Sequence, residues 1–467
     1  MNRRLQRLDW LTVLGLTLAL AASPASAQEE SPPPGGEPRD FVLPEKRELR
    51  LDNGLAATLV PYGSVPKVTV SVRVRTGNID ESAEQIWLAD LTGTYFAEGT
   101  SNHSSDELAA LFAAMGGKLE VTVAPDGTFL STDVLSEFAD GAIKLLAEVM
   151  RQPAFPASEE RRLQDDLVRE LKISLSEPQS QAEQKYLALL YPDHPYGRLF
   201  PTEAMIRSYS ADDVRRHWLA NFGAQRTRVY VVGQFDAEAT ADAIRQSFGE
   251  WGKGSPATVA PPAMQSSREI HLIDRPGAVQ STLRIGLPVP DPSHEDALSL
   301  EVADTLLGGA HSSRIVTNIR EDKGYTYSPY SAVSNRYRAA HWTQNADVTT
   351  EVTGAALTEI FREIDRVQAE SPTREELAGI QNYLAGIFVL QNSTRDRIIR
   401  QLWFIDLHGL EEAYLSNYVR EVYAVTPDRV SELARTYLQD DRMTIVVVGD
   451  RTRIEPQLQE FGPILVE

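Results

Sequence analysis

Apolar and polar residues alternate strictly at residues 67–76, where Val68, Val70, Val72 and Val74 are separated by polar side chains. A period of two predicts a β-strand with one buried face. Similar short runs, bounded by turn residues, predict further strands in the first half of the chain. These lie at residues 47–51, 55–61, 119–123, 128–134 and 227–233.

Helical spacing of apolar residues separates these strands. Ser104 and Glu107 form a capping box that opens a helix, and Gly116 and Gly117 end it. Further helices are predicted at residues 86–100, 138–151, 158–176 and 210–222. The mixture indicates an α+β fold in which helices cover an antiparallel-rich sheet.

The second half of the chain repeats the order of the first. Val214 lies in a helix that precedes a strand ending at Gly233, and Val430 and Gly449 occupy the matching positions. The offset is 216 residues at both places, which predicts two copies of one α+β unit in tandem. The second copy has predicted strands at 282–287 and 325–333, and predicted helices at 293–307, 312–320, 348–369 and 373–392.

A stretch rich in Pro, Ala and Ser, residues 253–266, is the predicted linker between the copies. It separates an N-terminal domain, residues 45–252, from a C-terminal domain, residues 267–467. Its composition is also compatible with a hinge.

The N-terminus has the pattern of a secretory signal peptide. In residues 1–27, three arginines precede an apolar run that is too short to span a membrane, and Ala25-Ser26-Ala27 supplies a cleavage pattern. Residues 28–44 are a predicted disordered lead-in, because they are rich in Pro, Glu and Gly. We therefore expect an exported protein with no membrane span after cleavage.

Composition narrows the possible functions. The chain has 467 residues and a formal net charge of −20, which argues against nucleic acid or an anionic membrane as partner. It contains no cysteine, which excludes disulfides, thiol catalysis and cysteine zinc sites. Export without cysteine suits a bacterial periplasm.

The predicted helix at residues 86–100, IWLADLTGTYFAEGT, lies early in the first copy. Its setting resembles the active-site helix of the pitrilysin/insulinase-like zinc peptidases, the M16 family, in which His-x-x-Glu-His precedes a Gly-Thr. Counting back from the Gly-Thr at 99–100 places Asp90, Gly93 and Thr94 at those three positions. The family's third zinc ligand falls near Glu170. The resemblance therefore identifies a member that lacks the zinc motif.

No pair of histidines in the sequence supplies a two-His helical motif, since none of the eight lies three or four residues from another. A substitute metal site made of Asp90, His103 and Glu170 remains an alternative, although it would lack a general base. The preferred interpretation of Glu170 is a leftover helix carboxylate paired with Arg162 or Arg169. The resemblance thus implies no metal and no catalytic residue in this chain.

Residues 307–314 (LGGAHSSR) and 319–328 (IREDKGYTYS) also resemble the C-terminal domain of the family. In that family an Arg/Tyr pair at this place contacts the substrate backbone near the zinc. The resemblance assigns substrate binding to Arg320 and Tyr327. An arginine can donate to peptide carbonyls, and a tyrosine can hydrogen-bond an oxyanion. The simpler interpretation is a salt bridge from Arg320 to Glu321 or Asp322, with Tyr327 as a half-buried strand residue.

These expectations converge on the non-catalytic subunit of a periplasmic heterodimeric zinc metallopeptidase. The partner would be an M16-like subunit with an intact HxxEH motif and the zinc, and the substrates would be peptides. Two alternatives stay open: a stand-alone metallopeptidase with a non-standard metal site, and a purely structural or assembly protein of the same fold.

Overall fold

The computed structural model describes residues 42–257 and 260–467. The predicted signal peptide, and the predicted lead-in as far as residue 41, lie outside this part of the chain. The described strands form two six-stranded sheets. The first contains β1 (Arg47–Arg50), β2 (Ala56–Pro61), β3 (Lys67–Val74), β4 (Glu120–Ala124), β5 (Gly127–Leu135) and β6 (Thr227–Gly233). The second contains β7 (Ile270–Asp274), β8 (Gln280–Val289), β9 (Tyr330–Arg336), β10 (Ala339–Thr349), β11 (Thr444–Gly449) and β12 (Ile464–Val466).

The two sheets match in five of their six described strands and differ at one edge, where β1 pairs antiparallel with β2 but β12 pairs parallel with β7. Their strand orders are β1-β2-β6-β3-β5-β4 and β12-β7-β11-β8-β10-β9. In each sheet one strand near the end of its half, β6 or β11, joins a parallel neighbour on one side to an antiparallel neighbour on the other. The remaining ladders around β3 and β8 are antiparallel. The α+β class and the tandem pair of domains are therefore confirmed.

Helices cover both sheets. Those of the first half are α1 (Leu88–Tyr95), α2 (Ser105–Ala114), α3 (Ala139–Arg151), α4 (Glu160–Ser176), α5 (Pro178–Leu190), α6 (Glu203–Ser208), α7 (Ala211–Asn221) and α8 (Ala237–Phe248). Those of the second half are α9 (Ala297–Asp304), α10 (Arg314–Val316), α11 (Thr353–Ala369), α12 (Arg374–Gln391), α13 (Arg395–His408), α14 (Ala413–Ala424), α15 (Pro427–Tyr437) and α16 (Arg451–Leu458). No helix among the described residues is long and apolar enough to cross a membrane.

The repeat inferred from sequence appears as matched helices. Helix α7 begins at Ala211 and α15 at Pro427, and each is capped by a hydroxyl of the preceding residue, Ser210 or Thr426. Both helices lead directly into the central parallel strand of their sheet. Helix α1 packs on α7 and α9 packs on α15, so α1 and α9 occupy corresponding places in the two halves.

Three predicted elements differ from the structure. The helix predicted at 86–100 is α1, only eight residues long. Trp87 takes a left-handed φ of 67° immediately before it, and beyond Tyr95 the chain leaves the helix and reaches Gly99 at a φ of 109°. The helix predicted at 312–320 is the short α10 followed by a π-helix, Thr317–Asp322. The strand predicted at 325–333 begins only at Tyr330, so Tyr327 lies in a loop and not in a strand.

The two halves interlock through exchanged helices. Helix α5 packs on β8 and β11 of the second sheet, and α13 packs on β3 and β6 of the first. The hydroxyl of Tyr191 lies 2.8 Å from His341 Nδ1, and Arg395 on α13 reaches Asp133 on β5 at 2.8 Å. These contacts oppose a hinge between the halves.

Candidate functional site

Helix α1 is held at its start by a buried carboxylate. The two oxygens of Glu81 accept hydrogen bonds from the backbone N–H groups of Trp87 (3.1 Å) and Ala89 (2.7 Å). An acidic side chain is favourable there because the first N–H groups of a helix have no partner within it. Glu81 thus takes the place of an ordinary helix cap and fixes where α1 begins.

Asp90 lies on the first turn of this helix, beside Glu81. Asn78 donates a hydrogen bond to its Oδ2 at 2.7 Å. Burial raises the pKa of Asp90 to about 6, and burial together with the negative charge of Asp90 raises the pKa of Glu81 to about 8. Burial thus disfavours the charged form of both acids, most strongly that of Glu81, and a metal ligand must be in that charged form.

The next two positions of the motif are unsuited to a metal. A Cβ added to Gly93 would lie 2.5 Å from Cγ2 of Val123, so β4 occupies the space that a larger side chain would need. Thr94 donates its hydroxyl to the carbonyl of Asp90 at 3.0 Å, one helical turn earlier. A zinc site needs imidazole or carboxylate donors together with a general base, and these three residues do not fit one.

The structure does not assemble the alternative site of Asp90, His103 and Glu170. His103 Nδ1 lies 2.8 Å from Glu148, whose carboxylate also accepts from Thr100. Within residues 42–257 and 260–467, no three His, Cys, Asp or Glu side chains are grouped to hold a metal ion.

The prediction that Glu170 pairs with Arg162 or Arg169 is wrong. Arg162 pairs with Glu98 and Glu159, and Arg169 pairs with Asp166. The negative charge of Glu170 instead acts on Asp90, whose pKa it helps to raise. Glu170 thus lies near the helix that the sequence placed it beside, without an arginine partner among the described residues.

Arg320 and Tyr327 are brought together. The guanidinium carbon of Arg320 lies 5.2 Å from the centre of the Tyr327 ring, within the range of a cation–π contact. Tyr327 is 81% exposed, so its ring is held by this arginine and by little else. Tyrosine and arginine are residue types enriched among the contacts that dominate binding between proteins.

Two further groups touch Arg320. Its Nη1 contacts the imidazole of His311 and lies 3.4 Å from Glu321 Oε1. The salt bridge to Glu321 therefore forms, but the half-buried strand position of Tyr327 does not. The π-helix that carries Arg320 widens the last turn, a feature frequent at functional sites.

Sequence reasoning missed several residues that shape these places. Glu81 and Asn78 lie in the turn-rich segment before α1. Their burial depends on tertiary packing, so no local sequence pattern predicts their role. Val123 belongs to a predicted strand, but its contact with Gly93 joins two elements that are far apart in sequence. His311 lies in residues 307–314, which resemble the C-terminal domain of the family. Its contact with Arg320 is therefore the one that sequence could most easily have predicted.

Comparisons with known proteins agree with this architecture. The family model described as "Insulinase (Peptidase family M16)" matches residues 59–200, and that described as "Peptidase M16 inactive domain" matches residues 208–384. The chain is 25% identical over 397 residues to "Uncharacterized zinc protease YmxG" of Bacillus subtilis (strain 168), covering 83% of this chain and 95% of that protein. It is 25% identical over 416 residues to "Uncharacterized zinc protease Rv2782c" of Mycobacterium tuberculosis (strain ATCC 25618 / H37Rv), covering 86% and 93%.

Two solved structures share the fold. A crystal structure described as a peptidase M16 inactive domain from Pseudomonas fluorescens superposes with a TM-score of 0.79 at 21% identity, covering 86% of this chain and 98% of that one. A protease from Helicobacter pylori superposes with a TM-score of 0.81 at 17% identity, covering 87% and 100%. At these identities the two structures support the fold alone.

Proposed function

Because this chain belongs to the M16 peptidase family, we propose that it is the non-catalytic subunit of an exported heterodimeric zinc metallopeptidase. The partner is an M16-like subunit with an intact HxxEH motif, which supplies the metal and the general base. This chain supplies substrate-holding groups, and the substrates are peptides. The export and periplasmic parts of the proposal rest on residues 1–27 and the lack of cysteine.

One contrast carries the proposal. At the motif position the base would occupy, Gly93 is packed against Val123, whereas Arg320 and Tyr327 are stacked together with the tyrosine exposed. The chain has thus kept the peptide-binding pair of its family without the residues that hold zinc. In the proposed two-subunit enzyme, one subunit binds the metal and the other helps to bind the substrate.

The chemistry of the pair follows from its groups. The guanidinium of Arg320 can donate two hydrogen bonds to main-chain carbonyls of an extended peptide. The hydroxyl of Tyr327 can donate to the oxygen of the scissile carbonyl, where negative charge develops during hydrolysis. To do so, Arg320 gives up its contacts with Glu321 and His311, which cost little to break because Glu321 is exposed.

Reconstitution tests this function. The mature chain is purified alone and together with an exported HxxEH-containing M16 protein of the same organism. We expect zinc and chelator-sensitive peptide cleavage only in the complex. Cleavage by this chain alone, lost in Asp90→Ala, would establish the stand-alone enzyme instead.

Variants of the pair give the sharper measurement. Arg320→Ala should raise KM and lower kcat/KM of the complex by about 100-fold, and Tyr327→Phe should lower kcat about tenfold with KM little changed. Arg338→Ala is the matched control, because Arg338 also lies over a tyrosine ring, that of Tyr337, at 5.4 Å. If Arg320→Ala leaves cleavage by the complex intact, the chain has an assembly role and not a substrate-binding one.

Export is tested separately. N-terminal sequencing of the chain secreted into a bacterial periplasm should begin at Gln28. Recovery of the chain in the cytoplasm with Met1 retained would contradict this part of the proposal.

A further inference from the structure

Helix α9 borders an open cavity of about 680 Å³ in the second half of the chain. We call it the α9 cavity and define it by Glu301 and Asp304 on α9, Arg397 and Phe404 on α13, and Tyr414 and Tyr418 on α14. It lies at the second half's counterpart of the Asp90 site, since α1 and α9 correspond. One of the segments that resemble M16 motifs, residues 307–314, contributes Gly309 to the lining, whereas Arg320 and Tyr327 do not line the cavity.

Two acids form the floor of the cavity. Tyr418 donates its hydroxyl to Glu301 Oε1 at 3.1 Å, and the other oxygen of Glu301 receives no hydrogen bond from any described residue. Asp304 accepts from the indole N–H of Trp342 at 2.7 Å and from the hydroxyl of Ser331. Both donors reach Oδ1 of Asp304, so each acid keeps one oxygen that receives no hydrogen bond from a described residue. Asp304 is buried, whereas Glu301 is partly exposed in the lining.

Neither acid has a basic partner. Among the described residues no Lys, Arg or His forms an ion pair with Glu301 or Asp304, although Arg400 in the same lining pairs with Asp396 at 2.8 Å. Burial raises the pKa of Glu301 to about 7, with a contribution from the charge of Asp304, and burial raises that of Asp304 to about 6. A cation in the cavity would stabilise the ionised carboxylate and so offset the free-energy cost of ionising a buried acid.

The walls indicate which kind of cation fits. Phe404 and Tyr414 lie with their ring centres 5.8 Å apart, and the Tyr418 ring stacks on Phe388 at 4.1 Å. Aromatic rings beside a carboxylate bind organic ammonium groups, because the ring faces attract the cation and cover its carbon chain. A metal ion would need several oxygen ligands together, and the described residues contain no such group.

We propose that the α9 cavity binds the primary ammonium group of an amino acid or peptide, held by Glu301 and enclosed by Phe404 and Tyr414. Arg397, which forms no ion pair with a described residue, provides the matching contact for a carboxylate at the other end of the ligand. This binding is independent of the partner subunit and of Arg320 and Tyr327.

Calorimetric titration of the full mature chain at about pH 8, where both Glu301 and an alkyl ammonium are charged, tests the proposal. The probe is Nα-acetyl-L-lysine, and Nα-acetyl-L-norleucine is its counterpart without the ammonium group. We expect one saturable site for the lysine derivative and none for the norleucine derivative. Alanyl-alanine, which carries only an α-ammonium, distinguishes an amino terminus from a lysine side chain as the source, and saturable binding of either supports the proposal.

Variants locate the site. Glu301→Gln keeps an acceptor for Tyr418 and should weaken binding at least tenfold, whereas Glu295→Gln, an exposed carboxylate before α9, should leave it unchanged. Arg397→Ala should weaken the acetyl-lysine several-fold and leave binding of cadaverine, which has no carboxylate, unaltered. The thermal midpoint of Glu301→Gln confirms folding. No saturable binding of any amine, equal binding of norleucine, or unchanged binding by Glu301→Gln would overturn the proposal.

Discussion

Helices α1 and α9 occupy the same place in two copies of one fold, yet their acidic residues have opposite surroundings. Beside α1, Glu81 and Asp90 are bound by backbone and amide donors, and Val123 fills the space at Gly93. Beside α9, Asp304 accepts from the side chains of Trp342 and Ser331, but Glu301 faces an open cavity. Position in the fold therefore does not decide whether a site is open. The side chains of the neighbouring edge strand and helices decide it.

The largest expected effect comes from removing the bound acid of the second half. Asp304→Ala leaves the buried indole N–H of Trp342 without an acceptor, and leaves the hydroxyl of Ser331 only its longer contact with the backbone carbonyl of residue 304. We expect a loss of about 3–4 kcal/mol in the free energy of unfolding. Urea unfolding followed by tryptophan fluorescence measures it, and a loss below about 1 kcal/mol would show that the two donors find other partners.

The next effect tests whether the first-half site is closed by packing. Gly93→Glu restores the residue type of the family's base but places its Cβ against Val123, so we expect a loss of about 2–3 kcal/mol. Adding Val123→Ala should recover part of that loss, which makes the pair non-additive in a double-mutant cycle. Simple additivity of the two changes would contradict the contact.

A smaller effect appears in the pH dependence. Because the folded-state pKa of Glu81 is raised to about 8, its stabilising contribution is complete below its ordinary value and is lost as pH rises through about 8. Glu81→Gln cannot ionise, so the fall in unfolding free energy between about pH 5 and pH 8 should be shallower by about 2 kcal/mol than in the wild type. Parallel thermal melts of the two proteins across this range give the comparison.

The smallest effect is expected at Asp90. Its carboxylate has one side-chain partner, Asn78, so Asp90→Ala should cost about 1 kcal/mol. The same variant should leave cleavage by the reconstituted complex unchanged. Urea unfolding and a peptide assay separate the two readouts, and a large loss of activity at unchanged stability would assign Asp90 a chemical role.

The sequence contained most of the architecture, because periodicity and capping act over short distances. The alternating valines of β3, the capping box at Ser104 and the offset between Val214 and Val430 all correspond to elements in the structure. The helix predicted at residues 86–100 is shorter in the structure, since nothing local reveals the positive φ of Trp87 before it or that of Gly99 after it. A hydrophobic pattern does not report the sign of φ.

The sites were less accessible to sequence than the fold. Arg320 and Tyr327 are seven residues apart, and the structure brings their side chains together as expected from the turn at Gly324, while their role in substrate binding stays a prediction. The α9 cavity depends on α13 and α14, which lie about a hundred residues after Glu301 and carry no recognisable motif. Contacts of that range arise from the packing of the finished chain.

The exchange of helices between the halves has a consequence for how the chain folds. Helix α5 is complete at Leu190, but its partner β11 ends only at Gly449, so the surface carrying Tyr186 and Tyr191 stays uncovered until nearly the whole polypeptide is present. Contacts that join such distant segments form slowly, because a long loop must close first. The contacts that cover this surface therefore form only after nearly the whole chain has been synthesised.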